Sequence, residues 1–146
     1  PMKRIAAVMM VAMCTMSAQA AVKQKTPDEI KAIVTYSARQ VGINRNIAHA
    51  LVSVESNYNP EAFANRKFAG LTQVHIVYHA KLLKGKPFDP TQNSLAGFSI
   101  LKEHLKSCKG NYKCALKKYQ GGSPKQQEKY ANKIIAISNR INHDRI

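Results

Sequence analysis

The sequence predicts a mainly α fold in a single domain with little or no sheet, on three observations. Apolar residues recur at helical spacing in successive runs along the chain. The runs are separated by capping residues and by Gly or Pro, the punctuation of helix ends. No segment shows the sustained period-two alternation of a half-buried strand beyond a possible short hairpin. At 146 residues the chain is long enough for one hydrophobic core and too short for a second domain.

Taken in order, the run TPDE offers Thr26 as N-cap, Pro27 in the first turn and Glu29 to complete a capping box. A helix follows with Ile30, Ile33, Val34 and Val41 as its core face, and Gly42 stops it. Asn44 caps the next helix, IAHALVSVE, which ends before Pro60 because the residue ahead of a proline is pushed out of the helical region. On this helix Leu51 stands four positions after Ile47, with Val54 and Glu55 three and four further on, so Glu55 shares the apolar stripe. Residues 57–69 read as an irregular loop. GLTQVHIVYHAKLL is ambiguous between strand and helix at first, then helical. Asp89 or Thr91 caps a helix running through Leu105, with Leu95, Phe98, Leu101, His104 and Leu105 near one stripe. A short helix covers Tyr112 to Tyr119, Gly121 and Gly122 break it, and Ser123, Pro124 and Gln126 open a last helix through Tyr130, Ile134, Ile137 and Ile141.

The first twenty residues have a charged start at Lys3 and Arg4, an apolar run from Ile5 to Met13, and small residues at Ala18 and Ala20. These are the parts of a secretory signal cleaved after Ala20. The expected organisation is therefore a signal at 1–20, a polar linker at 21–25 and one domain at 26–146, with no stable membrane anchor after cleavage. Cys14 is not expected to be acylated, because Met13 before it is not the small residue such processing needs. In an oxidising compartment Cys108 and Cys114, which close the loop CKGNYKC, are expected to form a disulfide rather than a metal site.

Two of the 23 basic residues and no acid lie in the first twenty, leaving 21 against 8 and a net charge of +13. Such a field attracts polyanions without choosing among them. Export favours an anionic wall over nucleic acid, and no nucleic-acid-binding motif is present. His75 and His79 are four apart, the spacing of two ligands on one helix face, but no acid stands near them and no metal is expected.

The order of pieces is informative: a helix ending in ESNYNP, then AGLTQV, then NSLAG, then KKYQGGSP and a final helix near EKY. This order resembles the lytic transglycosylase family with the goose-type lysozyme fold, in particular small exported members that accompany secretion and conjugation machines. The resemblance runs from about Thr26 to the last helix. Its most specific part is the pairing of Glu-Ser, an aromatic, Asn and Pro with Gly-Leu-x-Gln fifteen residues on. It implies that Glu55 is the sole catalytic acid and base and that Ser56 helps position the reacting sugar. It further implies that Gly70, Leu71 and Gln73 line the substrate groove, and that Asn93, which with Gly97 matches an Asn-x-x-x-Gly element, contacts the substrate. Tyr119 would reach the acid through its hydroxyl, and Tyr130 would face the groove. Thr72, Lys118 and Gln120 depart from the family's Met, Ala and Asn, departures that bear on subsite preference and turnover.

The implied substrate is the β-1,4 bond between N-acetylmuramic acid and N-acetylglucosamine in peptidoglycan, cleaved without water, cofactor or metal by a monomeric periplasmic enzyme. Ordinary glycosidases need two carboxylates. A muramic acid residue carries its own nucleophile in its C6 hydroxyl, so one carboxyl group suffices. Two alternatives stand beside this reading. One is a hydrolytic muramidase on the same fold, for which Glu61 is the second carboxylate nearest in the loop. The other is a cationic wall-binding or assembly protein without turnover.

Overall fold

The computed structural model describes residues 23–143. The expected signal, Cys14 and the start of the linker lie outside the described residues, as do the last three residues of the expected domain. Six helices form among the described residues: α1 (Pro27–Val41), α2 (Arg45–Ser56), α3 (Ala80–Leu83), α4 (Pro90–Ser107), α5 (Tyr112–Gln120) and α6 (Pro124–His143). None is long and apolar enough to cross a membrane.

The helix boundaries follow local chemistry. Thr26 and Glu29 form the expected reciprocal capping box, and Gly42 ends α1 at φ 78°, where a side chain would be strained. Asn44 caps α2 by accepting from the N–H groups of Asn46 and Ile47. Of the two candidates for α4, Asp89 is the cap, its carboxylate accepting from Gln92 N, with Pro90 opening the first turn. Ser123 and Gln126 exchange hydrogen bonds at the start of α6, a second capping box. Cys108 and Cys114 are joined, tying the end of α4 to α5.

α2 is the central helix. Every residue from Ile47 to Val52 is buried, so this helix is covered on all sides rather than on the single stripe its pattern suggests. α1 and α6 pack against it; α1 also packs on α4, and α5 on both α4 and α6. Leu51 meets Val34, Phe98, Leu101, Leu116 and Ile134 in one core. Glu55 stands in the last turn of α2, where the helix leaves that core. Asn57 and Tyr58 then both take left-handed conformations, φ 49° and 59°, and turn the chain sharply away.

The segment expected as an irregular loop contains two strands. β1 (Phe63–Ala64), β2 (Phe68–Ala69) and β3 (Val74–His75) form an antiparallel sheet in that order, with Phe63 opposite Ala69 and Phe68 opposite His75. Asn65 and Arg66 both have positive φ, and Lys67 N bonds back to Ala64 O, which is the tight turn that suits a hairpin. Strands of two residues are too short to leave an alternation in the sequence. The helix expected after Gly70 shrinks to the four residues of α3. His75 consequently lies in β3 and His79 precedes α3, so the one-face helical spacing considered for a metal does not arise.

Candidate active site

Glu55 opens onto a cleft of about 430 Å³ lined by Val54, Ala64, Phe68, Gln73, Tyr119, Gln120 and Tyr130. It is the only carboxylate among those residues. The sheet supplies one wall and the ends of α2, α5 and α6 the other. Burial pushes the Glu55 carboxyl up to about 7, while a hydrogen bond from Tyr130 works in the opposite direction. The Tyr130 hydroxyl donates to Glu55 Oε1. Oε2 has no protein donor among the described residues. Tyr130 is itself pushed up, first by burial and then by the neighbouring carboxylate, so it keeps its proton and remains a donor at neutral pH.

The tyrosine expected to touch the acid does something else. Tyr119 is in the cleft, but its hydroxyl donates to the Thr72 carbonyl at 2.6 Å. Burial, then the Glu55 charge, raise its pKa against that bond. The exchange of roles follows from position: Tyr119 ends the short α5 beside the Gly70–Gln73 turn, whereas Tyr130 comes from α6, which packs along α2.

That turn is held by a buried lattice. Asn93 is fully buried and uses its whole amide: Oδ1 accepts from Thr72 N at 2.9 Å and Thr72 Oγ1 at 2.7 Å, and Nδ2 donates to Ala69 O and Pro87 O, both at 2.8 Å. A Cβ on Gly97, one turn further along α4, would collide with the Thr72 side chain. Gly70, at φ 76°, sits against Asn93 and the Pro87 carbonyl, so a Cβ there fails on both space and conformation. Leu71 is fully buried in the core. Gly70, Leu71 and Asn93 therefore do not offer side chains to the cleft, contrary to the lining role expected for the first two and the substrate contact expected for Asn93; they shape the turn beneath it.

Ser56 likewise points to backbone, its hydroxyl within 2.8 Å of Leu71 O and 3.1 Å of Val52 O, fastening α2 to the turn. A role for Ser56 at the sugar would need that bond to Leu71 to be exchanged. Gln73 does face the cleft, at φ 52°; its Nε2 donates to Ala62 O and Gly70 O, and its carbonyl oxygen accepts no bond from the described residues. Glu61, the alternative second carboxylate, is exposed and lies outside the cleft.

The transglycosylase SLT domain model matches residues 32–139, about three quarters of the chain, from within α1 to within α6. The chain belongs to that family. No solved structure matches it significantly. The SLT domain assigns the protein to transglycosylases that cleave glycosidic bonds, and its substrate to peptidoglycan. Within this SLT domain, the Thr that replaces the usual Met faces inward onto Asn93 and Gly97 rather than into the cleft. Gln120, which replaces Asn, does line the cleft, with its Oε1 accepting from Gly122 N at 2.7 Å. Sequence reasoning did not single out Phe68, Ala64 or Val54 as cleft residues. Val54 was visible as a neighbour of Glu55, but Ala64 and Phe68 reach the cleft only because the hairpin folds back.

Proposed function

We propose that the protein is a non-hydrolytic lytic transglycosylase that cleaves the bond between N-acetylmuramic acid and N-acetylglucosamine and releases 1,6-anhydro-muropeptides. The observation that carries this reading is the lone, half-buried carboxyl of Glu55, raised to about 7, with no second acid among the described residues that line the cleft. Protonated Glu55 donates its proton to the glycosidic oxygen as the C1–O bond breaks. The C6 hydroxyl of the same muramic acid residue then attacks C1 and gives its proton to the Glu55 carboxylate. The C1–O6 bond closes the 1,6-anhydro ring, and Glu55 is again protonated without water being consumed.

Tyr130 stabilises the carboxylate between the two transfers, since its bond to Oε1 strengthens when charge appears there. Gln73, with a free amide oxygen, is the polar group we assign to a sugar hydroxyl or acetamido N–H. Tyr119 and Asn93 act as positioning residues through Thr72, and Ser56, Gly70 and Leu71 through the same turn. The exposed position of Glu61 argues against the hydrolytic alternative.

The charged and then apolar opening of the chain and the Cys108–Cys114 bridge support an exported protein working in an oxidising periplasm. Local opening of the wall for a secretion, pilus or conjugation apparatus is the role we take from the resemblance to small exported family members. Digestion of peptidoglycan sacculi with purified protein, followed by mass analysis of the soluble products, tests the reaction. Anhydro-muropeptides that vanish with Glu55→Gln are expected; products with reducing muramic acid would establish hydrolysis instead.

A further inference from the structure

A second cavity, of about 330 Å³, opens between α1, α2 and α6 and shares no residue with the Glu55 cleft. His49 in its wall and Glu55 are six positions apart on α2, which places them on different faces of the helix. The cavity floor is a chain of hydrogen bonds that starts at Arg45, whose guanidinium can only donate. Arg45 Nε donates to Thr35 Oγ1 at 3.4 Å, and the Thr35 hydroxyl lies 2.8 Å from His49 Nε2. His49 Nδ1 lies 2.8 Å from the Tyr58 hydroxyl, which donates to His49 O at 3.3 Å. With the Tyr58 proton spent on His49 O, Nδ1 is the donor to Tyr58, and Thr35, which accepts from Arg45, still has its own proton to give to Nε2; this arrangement suits a neutral His49. Burial and the nearby Lys31 charge also disfavour the imidazolium.

The floor is thus satisfied, and among the described residues the charged side chains that line the cavity are Lys31 and Arg45. Lys31 Nζ sits 5.7 Å from the centre of the Tyr58 ring. No carboxylate lines the cavity, and no ion pair involves either cation among the described residues. The terminal nitrogens of Arg45 offer the planar fork that grips two oxygens of one group, and Lys31 adds a point charge. We propose that this cavity is an oxyanion site that binds one carboxylate or phosphate group through Arg45 and Lys31. Its occupant would rest against Tyr58, three residues after Glu55, without entering the glycan cleft. The site does not depend on the reaction assigned to Glu55.

The test is a nuclear magnetic resonance titration of the protein with sodium phosphate and, separately, with N-acetyl-D-alanyl-D-alanine, at ionic strength held constant with chloride. Saturable shifts at Thr35, Arg45, His49 and Tyr58 that fit a single site are expected with at least one of the two. The peptide alone would identify a carboxylate source, such as a peptide terminus, and phosphate alone a phosphorylated one. Arg45→Gln should weaken binding by about tenfold or more, as expected when a charge-assisted pair is lost, and Lys31→Gln by a smaller factor. Both residues are exposed, so both variants should fold, and Glu55→Gln should bind as the wild type does. Shifts that fail to saturate and spread over the lysine-rich surface, or an isotherm unchanged in both variants, would overturn the proposal.

Discussion

Burial raises Glu55 to about 7 while Tyr130 pulls it down, so removing either influence has an opposite, measurable effect. The acid step needs the protonated carboxyl in the free enzyme. kcat/KM on glycan strands should therefore be level below about pH 7 and fall about tenfold per unit above it. Lysines on the surface do not reverse this, because their field is screened over roughly 8 Å whereas desolvation acts at contact. Tyr130→Phe deletes the bond that favours the carboxylate, so the alkaline limb should move to higher pH. The plateau rate should at the same time drop by about tenfold or more, from the loss of a hydrogen bond to a charged group. Tyr119→Phe removes a bond to a backbone carbonyl instead, and should leave the position of the limb unchanged. A profile shifted by Tyr119→Phe and not by Tyr130→Phe would reverse the roles that the geometry assigns.

Between the sheet and α4, the segment Gly70–Gln73 has little secondary structure of its own and depends on Asn93 for its shape. Asn93→Ala would deprive the buried Thr72 N–H and Ala69 carbonyl, and the half-buried Pro87 carbonyl, of this partner. Each buried group left unpaired costs about 1 to 3 kcal/mol, so chemical denaturation should show a loss of at least about 2 kcal/mol. Activity should fall even at temperatures where the variant stays folded, because Gln73 would no longer be held at the cleft. At the junction of α4 and α5 the disulfide closes a short loop. Replacing both cysteines by Ser should cost about 2 kcal/mol on the chain-entropy model, with α5 and Tyr119 affected before α2. Hydrogen exchange that loosens α2 as much as α5 in that variant would contradict this. Lys113 and Lys117 also join α5 to α6 by gripping Glu128, at 2.5 and 3.1 Å, but that trio is solvent-exposed and adds little.

For the whole molecule, the acid at the end of the central helix is a cost to folding. A carboxyl whose folded pKa lies above its unfolded value binds more protons in the native state between about 4.5 and 7, so stability declines as pH rises through that window. By pH 8 the loss is complete and on the order of 3 kcal/mol. Glu55→Gln keeps an acceptor for Tyr130 and removes the charge. It should accordingly be more stable than the wild type at pH 8 and nearly equal to it at pH 4, as measured by urea unfolding at each pH. An equal difference at both values would show that Glu55 is better solvated than its burial implies.

Local chemistry determined the helices and their ends. Thr26 with Glu29, Gly42, Asn44, Asp89 with Pro90, and Ser123 with Gln126 each act over three or four residues, so their effect could be read along the chain. Glu55 on an apolar stripe was legible for the same reason. The hairpin was not, because two-residue strands exist only through their partners and leave no period. The assignment of the two tyrosines was decided by the tertiary structure: which hydroxyl reaches Glu55 depends on how α6 lies along α2, a contact across 75 residues. The inward turn of Thr72, Asn93 and Leu71 was decided in the same way. A motif in the sequence specifies which residues come together, whereas packing decides which of them face the substrate and which hold the others in place.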